Sequence, residues 1–185
     1  MRSTAAIGIE FMSAPYDLEA VAHLDPWVNA FKVGSGDEKP GRTGFAHLFE
    51  HIMFMGSEHV AVGKFDEWLE AAGANNNGST TVDRTNYYET GPSNALPLML
   101  WLDADRMGWL LPTMDKPKLD LQRDVVKNER RQSTDNVPYG RAYETLLPVI
   151  YPSNHPYSWP VIGSMTDLSA ASLDETPPLP LVSAA

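Results

Sequence analysis

The sequence has no cysteine, which excludes disulfides and thiolate metal sites together. It is also poor in cations: 14 Lys and Arg stand against 24 Asp and Glu, for a formal charge of −10. Nucleic-acid binding needs clustered cations to neutralise phosphates, so this balance argues against it. The same charge attracts basic peptides weakly at long range. No apolar run is long enough to cross a bilayer, and no membrane partner is expected. The opening MRSTAAIGIEFM holds only a short apolar patch before Glu10, a poor signal peptide, which favours the cytoplasm. There is no internal repeat. What remains is a chain of 185 residues, 43% of them hydrophobic, enough for one domain with one core.

Histidine is scarce as well, yet two of the five lie four residues apart, in His47-Leu48-Phe49-Glu50-His51. On a helix, at about 100° per residue, His47 and His51 sit about 40° apart and Glu50 about 60° to the other side of His47. Phe45, Leu48, Phe49, Ile52 and Met55 centre on the opposite, core-facing side. Gly44 and Gly56-Ser57 are the expected boundaries. Two neutral imidazoles at this spacing bind Zn²⁺ well, and a catalytic zinc takes a third protein ligand. Glu50 is too close in sequence to be that ligand and well placed to take a proton from a water that zinc acidifies.

Lys116 to Asp135 supplies a candidate third ligand. The segment has a strong helical pattern, with Asp120, Arg123, Asp124, Lys127, Arg130 and Arg131 on a solvated face. Leu119, Val125 and Val126 mark the buried face, and Gln122 and Glu129 fall in its middle. A carboxylate there is costly unless it is paired or coordinates a metal. Glu129 is therefore either the third ligand or half of a buried ion pair with a neighbouring arginine.

Elsewhere, Lys64 to Ala72 reads as an amphipathic helix closed by Gly73. Asn94 to Leu111 reads as a helix with Ser93 as its N-cap and Pro97 in its first turn. In it Leu98, Met99 and Leu102 are expected inside, and Asp103, Asp105 and Arg106 in solvent. Asn75 to Gly78 is a turn signal, and Ser79 to Thr90 suits a strand. Trp27 to Val33 is a second expected strand. His155 sits among turn residues and is expected to be structural; His23 and His59 have no partner at metal spacing.

The His47–His51 motif followed by Glu in VVKNERR resembles the pitrilysin, insulysin and mitochondrial processing peptidase family, the inverzincin zinc endopeptidases. The runs VGSGDEKPGRTGFAHLFEHIMFMGSE, DRTNYYET, LWLDADRMG and HPYSWPVIGSM are similar too, in the style of bacterial processing-protease-like members. The resemblance implies an α+β fold, a mostly antiparallel sheet with helices packed on one face. It implies one Zn²⁺ per chain on His47, His51 and Glu129, with Glu50 as general base. Where the family often has an outer-shell glutamate, this chain has Gln122, which still accepts a hydrogen bond from an imidazole N–H. The resemblance also implies that a peptide substrate adds as a strand along Asn77, Gly78, Ser79, Thr80 and Thr81, with Asn77 touching its backbone.

The ends fit the family less well. Residues 1–32 match poorly, 33–175 form the expected zinc-binding domain, and 176–185 form a proline-rich tail expected to be disordered. Ser172 to Glu175 is a capping box that the following prolines stop from opening a helix. The expectation is thus an incomplete N-terminal inverzincin domain. Its site needs a partner half or a second copy to enclose a peptide. The other readings are a non-catalytic zinc-binding fragment and a zinc hydrolase of small esters or amides.

Overall fold

The computed structural model describes residues 12–13, 30–31, 35–39 and 41–173. The expected tail, most of the poorly matching N-terminal segment, and the end of the capping box lie outside them. Two short strands, β1 (Met12–Ser13) and β2 (Ala30–Phe31), pair in parallel, with Met12 opposite Ala30. The second of these falls inside the strand expected over Trp27 to Val33.

Helix α1 (Phe45–Ile52) carries the histidine motif. Gly44, with φ of 88°, precedes it, and no side chain of its own caps it. Its first N–H groups are met from a distance instead. Glu38 accepts from Gly44 N (2.9 Å) and Ala46 N (2.6 Å), and Asp167 accepts from Thr43 N (2.9 Å) and Thr43 Oγ1 (2.6 Å). Carboxylates at this end also suit the helix dipole. The apolar face of α1 buries Leu48, Phe49 and Ile52 against Leu110, Leu119, Val126 and Leu168, as its spacing predicts. Each such side chain contributes about 1.5–3 kcal/mol by leaving water.

Helix α2 (Lys64–Ala71) leads into β3 (Asn75–Thr80), which pairs antiparallel with β4 (Thr85–Thr90) from Asn75 opposite Thr90 to Thr80 opposite Thr85. The expected turn at Asn75 to Gly78 is thus strand, and the chain reverses at Thr81 to Arg84. Thr81 closes that reversal: its N–H donates to Arg84 O at 2.7 Å and its hydroxyl oxygen accepts from Arg84 N at 3.2 Å. Six consecutive pairings with the Tyr- and Thr-rich β4 override the poor strand propensity of asparagine. Both α1 and α2 lie against β3, which makes the architecture α+β.

Helix α3 (Leu96–Trp109) starts after a tight turn at Ser93–Ala95, so Ala95 and not Ser93 holds the cap position. Leu102 is fully buried beside Phe65 and Leu69 of α2. Asp105 and Arg106, expected in solvent, are buried. Asp105 accepts from Ser57 Oγ and pairs with His59 Nδ1 at 2.6 Å, which gives the unassigned His59 a structural role. The Arg106 guanidinium lies 4.5 Å from the Phe65 ring, 4.9 Å from Tyr87 and 5.6 Å from Phe54, with Asp103 and Glu89 beside it. Its charge is therefore stabilised by ring faces and carboxylates rather than by water.

Helix α4 (Lys116–Arg130) is capped by Asp115, which accepts from Lys118 N at 2.9 Å. Leu119 and Val126 are buried as their spacing predicts, whereas Val125 is 40% exposed. Arg130, expected on the solvated face, is also buried. A wide turn at Arg131–Asp135, then α5 (Ala142–Ile150) and α6 (Met165–Ala170), complete the described chain. Arg130 turns inward because it ties these last elements together, donating to Glu144 of α5 and to Gly163 O.

Candidate metal centre

One helical turn of α1 and the last turn of α4 meet at three side chains. His47 Nε2 lies 3.7 Å from Glu129 Oε2, and His51 Nε2 lies 3.3 Å from the same oxygen. The two imidazoles meet edge to face, with centroids 4.8 Å apart. Among the described residues this is the one group of three His, Asp or Glu side chains able to share an ion, their donor atoms all within 4.8 Å of one another.

The alternative for Glu129, an ion pair with a neighbouring arginine, is not what forms. Arg130 pairs with Glu144 and Asp135 instead, and Glu129 faces the histidines. Its side chain keeps 43% exposure, so the site opens to solvent on that side.

Electrostatics favour the ligand forms of two of these groups. Burial lowers the His47 pKa, outweighing the attraction of Glu129, so the ring is held neutral. The hydrogen bond with His51 holds the Glu129 carboxyl below its ordinary range against a desolvation that pushes it up. Metal ligation needs neutral imidazole and ionised carboxylate. A tetrahedral zinc with bonds of about 2.0–2.1 Å sets its donor atoms about 3.3 Å apart, which the two Glu129 distances approach. The donor set therefore fits zinc in kind, and all of its donor atoms lie within 4.8 Å of one another. His47 Nδ1 is buried with no hydrogen-bond partner among the described residues, leaving Nε2 as the nitrogen aimed into the group.

Glu50, beside this trio but not part of it, faces β3. Its Oε2 accepts from Thr80 Oγ1 at 2.5 Å. Gly78 gives it room: a Cβ there would lie 3.0 Å from both Glu50 Cγ and Oε1. Asn77 and Ser79 are on the same strand. Asn77 is exposed, with Oδ1 accepting from Gly78 N at 2.8 Å, and Ser79 Oγ donates to Asn86 Oδ1 at 2.6 Å across the hairpin.

Gln122 differs from expectation. Its Nε2 donates to Met55 Sδ at 2.7 Å, and no bond to an imidazole is present among the described contacts. Seven residues of helix separate it from Glu129, about 10.5 Å of rise, and its partner Met55 lies three residues past the end of α1. His155 stacks on Tyr151 at 4.7 Å and accepts from Tyr157 N at 3.1 Å, a structural role as expected. What reasoning from sequence missed is the supporting role of Thr80, Glu38, Asp167 and Arg130. Only Thr80 left a signal, through the period-2 alternation that puts residues 78 and 80 on one face of β3.

Two histidines and a glutamate from two helices, with a separate carboxylate beside a strand, form a donor set of the kind that can hold one metal ion on an α+β scaffold. The comparisons with known proteins agree. The sequence pattern described as Insulinase (Peptidase family M16) matches residues 27–159. The chain is 33% identical over 169 residues to the zinc protease PqqE of Helicobacter pylori, covering 91% of this chain and 37% of that protein. The crystal structure of a protease from Helicobacter pylori is similar with a TM-score of 0.74 at 35% identity, over 78% of this chain and 34% of that one. That of pitrilysin gives 0.64 at 27% identity, over 76% and 15%. The chain belongs to the insulinase family of peptidases, family M16. It spans only about a third of the curated relative's length.

Proposed function

We propose that residues 33–175 form the metal-bearing domain of a zinc-dependent endopeptidase, with one Zn²⁺ held by His47, His51 and Glu129. The observation that carries this reading is the convergence of those three side chains beside a Glu50 that none of them uses. Bound there, zinc supplies Lewis acidity, which lowers the pKa of a water and polarises a carbonyl.

The chain's own residues supply the rest. Glu50 takes a proton from the attacking water onto its carboxylate and returns it to the leaving amine. Thr80 keeps that carboxylate against β3. The edge of β3 away from β4 bears no strand among the described residues, and a peptide adding there meets main-chain groups of Asn77, Gly78 and Ser79. Gln122 acts from farther out, through Met55, three residues past the end of α1.

The chain matches only about a third of the length of these relatives, which supports a need for further polypeptide around the site, from a partner half or a second copy. Hydrolysis of a quenched-fluorescent peptide library tests the proposal. Turnover should stop with a chelator, return with zinc and be lost in Glu50→Gln. Turnover that survives both the chelator and the substitution refutes it. Zinc bound with no turnover until a C-terminal half is added favours a subunit that is incomplete alone. Turnover of small esters but not peptides favours the small-substrate hydrolase.

A further inference from the structure

Glu50 has a hydrogen-bonded support that belongs to neither metal-bearing helix. Thr80 ends β3 and stands opposite Thr85, the first residue of β4. The Thr80 hydroxyl donates to Glu50 Oε2 at 2.5 Å, and its oxygen lies 3.1 Å from Thr85 Oγ1. A hydroxyl has one hydrogen to give. A carboxylate can only accept when ionised, so the Thr80 hydrogen goes to Glu50 and the Thr85 hydroxyl is the donor between the threonines. Thr85 is 4% exposed, which leaves little water to compete with it.

We infer that Thr85 and Thr80 form a hydroxyl relay that positions Glu50, with Thr80 fixing Oε2 and leaving Oε1 as the proton-accepting oxygen. This rests on the peptidase reading above. Three observations converge on it. The hairpin register brings the two threonines face to face where the strands part. The relay ends on the one carboxylate of the motif that the ligand trio does not use. Gly78, on the same face of the strand, leaves the space that this orientation requires, since any Cβ would press on Glu50 Cγ and Oε1 at 3.0 Å. A glutamate held by one carboxylate oxygen loses freedom to swing its carboxylate, and such pre-set geometry is worth most in the transition state. Chained hydroxyls also strengthen one another. Thr80 and Thr85 are positioning residues here, acting through Glu50.

Two measurements on the full chain test this. The first needs no activity. In a double-mutant cycle, Thr80→Val lowers the folding equilibrium constant about tenfold more when Glu50 is present than in a Glu50→Ala background, where only the contact with Thr85 is lost. Equal effects in both backgrounds overturn the relay. The second is steady-state peptide hydrolysis. Thr80→Val lowers kcat about tenfold or more with KM and zinc content unchanged, Thr80→Ser recovers most of the loss, and Thr85→Val gives a smaller drop of the same kind. If hydrolysis depends on Glu50 but Thr80→Val matches the unaltered chain, the inference fails and the peptidase reading stands. If the chain shows no Glu50-dependent hydrolysis, alone or with a C-terminal half added, the peptidase reading fails, and the assigned role of Thr80 fails with it.

Discussion

Arg130 grips Glu144 with both terminal guanidinium nitrogens, Nη2 donating to Oε2 at 2.8 Å, while Nη1 also reaches Gly163 O at 2.8 Å. The pair sits one residue past Glu129, so it anchors the end of α4 against α5 and against the loop that meets the start of α1. Arg130 is only 6% exposed. Glu144→Ala leaves that charge buried and largely unpaired, with Asp135 3.7 Å away as the remaining carboxylate. The expected cost is about 3 kcal/mol or more in urea unfolding. A loss below about 1 kcal/mol contradicts the anchor.

Gly44 is fixed by both its backbone and its surroundings. It has φ of +88°, and a Cβ there would lie 2.8 Å from Gly163 Cα and 2.8 Å from Ile162 O. Gly44→Ala must strain the cap position of α1 and push away the loop that Arg130 holds, for at least about 2 kcal/mol. Gly41 is the control: its φ is +86°, with nothing within 4 Å of an added Cβ. Gly41→Ala costs only the left-handed backbone penalty, about 1 kcal/mol. Thermal or urea unfolding of the two variants should rank them in that order.

Glu38, which caps α1, makes stability depend on pH. Burial pushes its pKa from the ordinary 4.5 up to about 7, against the hydrogen bonds from Ala46 and Gly44 that lower it. Glu89 is likewise raised to about 7, by burial and then by Asp103, against the pull of Arg106. The folded chain thus binds these protons more tightly than the unfolded chain. The resulting stability is complete below about pH 4.5 and is lost as pH rises through 7. Between pH 6.5 and 8, above the range where a lowered His47 pKa opposes this, Tm should fall. Glu38→Gln should make the fall shallower, and adding Glu89→Gln should make it shallower still. An unchanged slope in the double variant contradicts the assignment.

The chemistry of the site was more legible in the sequence than its supports. His47, Glu50 and His51 could be placed on one face by spacing alone, and Glu129 stood out as a carboxylate on a face that also carries Leu119 and Val126. The core of α1 followed from the same period. What could not be read were contacts between residues far apart in the chain. Nothing local marks Glu38 as the cap of a helix that lacks its own, or Asp105 as the partner of Ser57 and His59. Arg106 and Arg130 looked solvated because helix periodicity counts charge as exposure. Tertiary partners more than three turns away made both buried. The asparagines of β3 misled for a related reason: their turn propensity is local, and the ladder with β4 that overrides it is not.

The central claim is that His47, His51 and Glu129 together hold one zinc ion, and an equilibrium zinc titration of the purified chain against a competing chelator tests it directly. The account predicts one equivalent bound. Affinity should fall about a hundredfold or more in His47→Ala, in His51→Ala and in Glu129→Ala, since even outer-shell losses at such sites cost tenfold to a hundredfold. It should stay unchanged in His155→Ala, whose ring stacks on Tyr151 instead. Zinc bound as tightly by the ligand variants as by the unaltered chain, or no zinc bound at all, would contradict it.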